Sequence, residues 1–192
     1  MTKPRILAFS GSSRIGSYNQ RLVKIAAQAA EDQGAEVTLI CLGDYPLPLF
    51  NEDAEKDFGP PQNATRLKNL FFRNDGLLIA CPEYNSSITP LLKNTIDWVS
   101  RPAAGEPSLA AYQNKTAALL AASPGALGGL RGLVLVRAIL GNIGVTVLPD
   151  QVAVGSAQTA FSPTGSLLNP ELQTRVRALG ERLADVIAKL QA

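Results

Sequence analysis

The chain alternates short, uninterrupted apolar runs with longer stretches in which apolar residues return every three or four positions. Arg5 to Phe9 (RILAF) reads as a buried strand. From Asn19 to Gln33, apolar side chains fall at Leu22, Ile25, Ala26, Ala29 and Ala30, a helical spacing that Gly34 ends. Glu36 to Leu42 (EVTLICL), Gly76 to Cys81 (GLLIAC) and Lys115 to Ala122 (KTAALLAA) read as further strands, and Gly144 to Leu148 (GVTVL) as a short fifth. Helical patterns fill residues 62–74, 90–100 and 128–142 between them. Asn169 and Pro170 open a last helix as N-cap and first-turn proline, with Leu172, Val176, Leu179, Leu183, Val186 and Leu190 as its apolar stripe. The Pro/Asp/Glu-rich stretch from Asp44 to Pro61 carries neither period and reads as a surface loop.

Strands that are apolar throughout are buried on both faces, and strands alternating with helices imply a parallel sheet covered on each side. Five strands in 192 residues predict a flavodoxin-like three-layer α/β sandwich with sheet order 2-1-3-4-5, as one domain spanning residues 1–192. In that order a ligand belongs beyond the carboxyl ends of the strands, at the switch between strands 1 and 3. The segments to inspect are those after Phe9, Cys81 and Ala122.

Composition narrows the function. Apolar residues make up 46% and charged residues 18%, and the formal net charge of +2 is spread without a basic run, which argues against nucleic-acid binding. No segment is apolar enough to span a membrane, and the N-terminal apolar run is too short for a secretory signal, so a cytoplasmic location is expected. Cys41 and Cys81 read as buried thiols about two strand spacings apart, beyond disulfide reach. There is no histidine at all. That removes Ser-His-Asp and Cys-His nucleophiles and the commonest transition-metal ligand, so no metal site is expected and redox or transfer chemistry would come from a bound cofactor.

After strand 1 comes SGSSRIGSYNQ. Gly11 and Gly16 have the spacing of a nucleotide-triphosphate loop, but no lysine follows Gly16. Serines 10, 12, 13 and 17 with Asn19 supply neutral donors, Arg14 a cation, and the entering helix its unpaired amides. This set suits a terminal phosphate monoester; the alternative is that Ser17 and Gln20 form only a capping box. A dinucleotide fingerprint fits worse, because G-x-G-x-x-G is absent and Glu36 falls at the wrong end of strand 2. No acidic pair follows strand 1, as a receiver domain would need. After strand 3 comes PEYNSSITPLLKNTIDWVSRP, with Thr89-Pro90 as a helix start, Tyr84 placed to line a pocket, Trp98 in the core or an interface, and Lys93 and Asp97 as a solvated i,i+4 pair.

GSSRIGSYNQRL together with PEYNSSITPLLKNTIDWVSR resembles the NADPH-dependent FMN reductase family, as do SPGALGGLRGLVLVRAIL (123–140) and PLPLFNED (46–53). Thr89 and Thr95 depart from the family's usual proline and alanine, the second at a possible subunit interface. The resemblance implies that Ser12, Arg14, Ser17 and Asn19 hold the phosphate of FMN. It places Pro82, Glu83, Tyr84 and Asn85 along the isoalloxazine, and Ser123, Gly125, Gly128 and Gly129 at its other edge. It also implies hydride transfer from NADPH or NADH to FMN, then electron transfer to quinone-like or other small acceptors, in a homodimer or homotetramer. Arg101, Tyr112 and Phe161 are candidates to line the acceptor pocket. No catalytic acid or base is assigned; Glu83 is expected to be structural. The alternative function is a non-catalytic flavodoxin-type electron carrier, though such carriers are acidic to dock on basic partners and this chain is slightly basic. A flavin-free sensor is a third reading.

Overall fold

The computed structural model describes residues 3–191; positions 1, 2 and 192 of the expected 1–192 domain lie outside the described residues. Strand β1 (Arg5–Ser10) is followed by α1 (Tyr18–Asp32), β2 (Glu36–Cys41), α2 (Glu52–Phe58) and α3 (Gln62–Arg73). Then come β3 (Gly76–Ala80), a two-stranded hairpin of β4 (Glu83–Tyr84) and β5 (Ser87–Ile88), and α4 (Pro90–Ser100). The chain closes with β6 (Thr116–Ala122), α5 (Leu130–Asn142), β7 (Thr146–Val154), the short α6 (Ala157–Ala160) and α7 (Pro170–Leu190). The main sheet is parallel, in the order β2-β1-β3-β6-β7. Counting its five strands alone, this is the 2-1-3-4-5 order expected from the sequence.

Each apolar run divides its side chains between two cores, because successive residues of a strand point to opposite faces. Ile6, Ala8, Leu78, Ala80, Ala118 and Leu120 pack with α1 and α7, whereas Leu7, Phe9, Leu77, Ile79 and Leu119 pack with α3, α4 and α5. Every residue of β3 and β6 is buried, while β2, at the sheet edge, is only half covered. Cys41 lies opposite Ser10, which lies opposite Ala80, so two strand spacings separate Cys41 from Cys81 and both are free thiols.

Three features differ from the expectation. The stretch 44–61 is not all loop: Asn51 accepts hydrogen bonds from the amides of Asp53 and Ala54 and caps α2, whose first turn holds Glu52, Asp53 and Glu55. This helix buries no residue, so it has no apolar period to read. The fifth strand is nine residues rather than five; its register slips between Ala117 and Leu119, where Ala117 faces Val147 but Leu119 faces Gln151. The irregularity accommodates Pro149, which an edge strand tolerates. The hairpin turns through Asn85 and Ser86, both at positive φ (50° and 65°), the geometry of a two-residue turn that follows right-handed strand twist.

Candidate functional site

The carboxyl ends of β1, β3 and β6 lie side by side, and the three loops that leave them meet over a cleft of about 350 Å³. The first loop contributes Ser12, Arg14, Ser17, Tyr18 and Asn19; the second Pro82, Glu83 and Tyr84; the third Ala122, Ser123 and Pro124. Larger clefts exist, including one of about 590 Å³ between α2, α3 and the end of α4, but they lie on the helical flanks rather than at the strand ends.

The first loop is built to expose donors. Gly11 enters it by donating its amide to the Ala80 carbonyl (2.9 Å). A Cβ at Gly11 would meet the Leu92 Cβ at 3.0 Å and Pro82 Cδ at 3.2 Å, so the loops after β1 and β3 touch only because this position lacks a side chain. Ser17 caps α1, its Oγ accepting from the Gln20 amide (3.4 Å). The reciprocal half of a capping box is missing: Gln20 Oε1 is buried with no partner among the described residues. The amides of the first turn, lacking intrahelical acceptors, face the helix entrance with the positive end of the α1 dipole. Ser12 Oγ accepts from the Arg14 amide (3.2 Å). Among the described residues the Arg14 guanidinium has no carboxylate partner; it lies 5.1 Å from the centre of the Tyr18 ring.

Asn19 has a second task. It is buried; its Nδ2 donates to the Ala122 carbonyl (2.8 Å), and its Oδ1 accepts from the Ala122 amide (2.9 Å). This pair stitches the start of α1 to the end of β6 across the cleft, and it leaves one amide hydrogen of Asn19 for a ligand.

Glu83 faces away from chemistry. Its carboxylate accepts from the Arg131 amide (3.0 Å), the Gly132 amide (3.2 Å) and Arg131 Nε (2.8 Å), and so caps the N-terminus of α5. Burial pushes its pKa up, but the Arg131 and Gly132 hydrogen bonds and the Arg131 charge outweigh that and hold it below the ordinary carboxylate range. A carboxylate locked in its charged form at a helix terminus anchors that terminus. The neighbouring Cys81 thiol is pushed up to about 12 by burial and by the Glu83 charge, so it stays protonated and inert at neutral pH.

The remaining expected site residues take other places. Asn85 sits exposed at the hairpin turn, outside the residues that line the cleft. Gly125, Gly128 and Gly129 also stand off the lining, in the loop that follows Ser123. At Gly128 (φ 63°) a Cβ would approach the Val154 backbone to 2.7 Å, and Gly129 (φ 93°) opens α5 in the left-handed region with the Ala121 Cβ 2.7 Å from where its own would be, so close packing and positive φ explain both. Tyr112 does not line a pocket: it is fully buried, edge-on to Phe71 (5.2 Å between ring centres). Arg101 pairs with Glu55 (2.8 Å) on the α2–α4 flank. Phe161 stacks on Tyr18 (6.1 Å, 8°) behind the cleft. Thr89 replaces proline as an N-cap, accepting from the Leu92 amide (3.2 Å) and donating to the Gly11 carbonyl (2.7 Å). Thr95 is buried within this chain and donates to the Leu91 carbonyl (2.8 Å). Trp98 is buried, its Nε1 donating to the Pro48 carbonyl (2.8 Å).

Tyr18 and Arg131 were not singled out by sequence. Tyr18 stands immediately after the capping Ser17, which is a readable signal; the pairing of Arg131 with Glu83 spans 48 residues and has none.

Comparison with known proteins agrees with this geometry. The family described as NADPH-dependent FMN reductase matches residues 4–159. An NAD(P)H-dependent FMN reductase of Pseudomonas aeruginosa is 36% identical over 180 residues, covering 91% of this chain and 92% of its own length. A quinone reductase of Pseudomonas putida is 33% identical over 175 residues, covering 91% and 89%. Among solved structures, the flavoenzyme NAD(P)H:(acceptor) oxidoreductase of Paracoccus denitrificans superimposes with a TM-score of 0.79 at 27% identity, covering 98% of each chain.

Proposed function

The chain belongs to the NADPH-dependent FMN reductase family, and from that premise we propose that it is an NAD(P)H-dependent FMN oxidoreductase that passes electrons to quinones and other small acceptors. The observation that carries this reading is the cleft at the ends of β1, β3 and β6, where hydroxyls, an arginine without a carboxylate partner and the free amides of α1 converge. The donor set fits FMN: its phosphate end is all donors, and Glu83, the one acid that lines the cleft among the described residues, is already neutralised by Arg131. When bound, FMN supplies the hydride-accepting chemistry.

The chain's own residues bind and orient. Ser12, Ser17 and Arg14 hold the phosphate, and Asn19 keeps their loop in register with β6 while offering its remaining amide hydrogen. Pro82, Glu83, Tyr84 and Asn85 provide one edge for the ring through the backbone of the rigid hairpin, with Tyr84 half exposed at the mouth. Ser123 provides the other edge, and Gly125, Gly128 and Gly129 shape the loop behind it. Neither Glu83 nor Cys81 is poised to exchange a proton: Glu83 is held charged and Cys81 protonated. The reading includes one domain over 1–192, a cytoplasmic location, and a homodimer or homotetramer. The exposed apolar side chains Leu127, Leu130, Val134 and Leu135 beside the cleft support association of copies.

Anaerobic mixing of purified, FMN-loaded protein with NADPH is the test. Rapid loss of flavin colour and multiple turnovers with a quinone are expected. Slow bleaching without turnover would mean an electron carrier instead. Arg14→Ala removes a charge-assisted phosphate contact and should weaken FMN binding by about 1.5–3 kcal/mol, read by flavin fluorescence titration. An unchanged affinity would take Arg14 out of the site.

A further inference from the structure

A second cleft, of about 460 Å³, begins one helical turn along α1 from Tyr18 and two residues along the chain from Phe161, the ring that stacks on Tyr18. One wall is the α1 face that continues from Tyr18 through Arg21, Lys24, Ile25 and Gln28; the other is the loop from Pro163 to Ser166 with Gln173 and Arg177 of α7. No acid lines it. Arg177 is paired with Asp32 (2.8 Å), and Asp32 also accepts from Gln28 (3.1 Å). Arg21 and Lys24, both exposed, make no side-chain hydrogen bond or ion pair among the described residues. Opposite them, the loop is pre-organised: Phe161 bridges Leu167, and Ser162 Oγ holds the hydroxyls of Thr164 (2.9 Å) and Ser166 (2.8 Å). Arg21 and Lys24, which pair with no carboxylate among the described residues, face ordered hydroxyls, while the nearby Asp32 is engaged by Arg177 and Gln28; the set repeats the donor chemistry of the phosphate loop.

We propose that this cleft binds the 2′-phosphate of NADPH, with Arg21 and Lys24 as its ligands, and thereby selects NADPH over NADH. The inference rests on the reductase reading above. The flavin cleft, at about 350 Å³, is at the small end for a single ligand, so the adenosine half of a dinucleotide donor must lie outside it. Tyr18 lines the flavin cleft, and Arg21, one turn further along α1, lines the second, so the two sites follow one another along the same helix. The 2′-phosphate is the one group that distinguishes the two dinucleotides, and it is a terminal dianion of the kind these cations suit.

The test uses the FMN-loaded protein and the double variant Arg21→Gln/Lys24→Gln. Both positions are exposed on a helix and glutamine is a comparable helix former, so the variant should fold and keep its flavin. The KM for NADPH should rise about tenfold or more while the KM for NADH changes less than about twofold and kcat stays level. Calorimetric titration gives a readout independent of turnover. The native protein should bind 2′,5′-ADP at least about tenfold more tightly than 5′-AMP, and the variant should lose that difference. Arg175→Gln, exposed on α7 and lining a different cleft with Asp150, should change none of these values. Equal loss with both dinucleotides, equal affinity for the two probes in the native protein, or no change in the variant would each overturn the proposal. If neither dinucleotide reduces the flavin, the reductase reading fails, and the 2′,5′-ADP titration still decides whether the cleft binds that phosphate.

Discussion

At the scale of single residues, the site depends on side chains held in one charge state by specific neighbours. Glu83 is the clearest. Its carboxylate is fixed at the start of α5 by two amides and by Arg131, and its pKa is held below the ordinary range. A carboxyl group depressed in the folded state contributes stability that is complete above its unfolded pKa and is lost as pH falls through the folded value. Glu83→Gln keeps the shape but removes the charge, and should destabilise the protein at neutral pH by about 1 kcal/mol. In urea melts the gap between native and variant should stay constant from neutral pH down to the ordinary carboxylate range, then close as Glu83 itself protonates. A gap that persisted in strong acid would show that the charge is not what holds the helix. Motif matching would assign Glu83 to the ring pocket; only the position of Arg131, 48 residues away, shows what its carboxylate does.

At the scale of elements, α1 is the part on which the proposed function depends most, because its N-terminus carries the residues proposed to hold the phosphate. It is positioned from behind by α7. Gly180 lies in the middle of α7, where a Cβ would come to 2.0 Å from the Ala26 carbonyl oxygen of α1. Glycine in a helix interior ordinarily costs about 1 kcal/mol relative to alanine, so its presence here reflects contact between the two backbones. Gly180→Ala should therefore destabilise by about 1–3 kcal/mol rather than stabilise, measured by urea unfolding, and should weaken FMN binding by tilting α1. A stabilised variant would mean that the two helices do not touch there. The α1, α4 and α7 patterns were legible because each has an apolar stripe and a cap: Ser17, Thr89 and Asn169 all cap as their positions suggest. The α2 helix was not legible, since its Asn51 cap and acidic first turn stand without any buried face.

At the scale of the whole molecule, three strand ends become one binding cleft only when the sheet is assembled. A ligand bridging the loops after β1, β3 and β6 should stabilise the entire fold by mass action, by about 2.7 kcal/mol at a hundredfold excess over its dissociation constant. FMN should accordingly raise the melting temperature by several degrees in scanning calorimetry, and riboflavin, lacking the phosphate, by much less. Equal shifts would place the binding energy on the ring and not on the serine-arginine loop. The sequence by itself determined the alternation of strand and helix, the sheet order, and the donor-rich polar loop that follows β1. Those features depend on local periodicity, caps and donor inventory, which neighbouring residues express together. Only the tertiary structure decided that Asn19 ties α1 to Ala122, that Tyr112 is core, that Gly128 packs closely on the Val154 backbone, and that Arg21 and Lys24 face the 163–166 loop across a second cleft. Each of these brings together residues far apart in the chain, Arg21 and Lys24 with the 163–166 loop among them, and is fixed by how the layers pack rather than by any pattern a local stretch can carry.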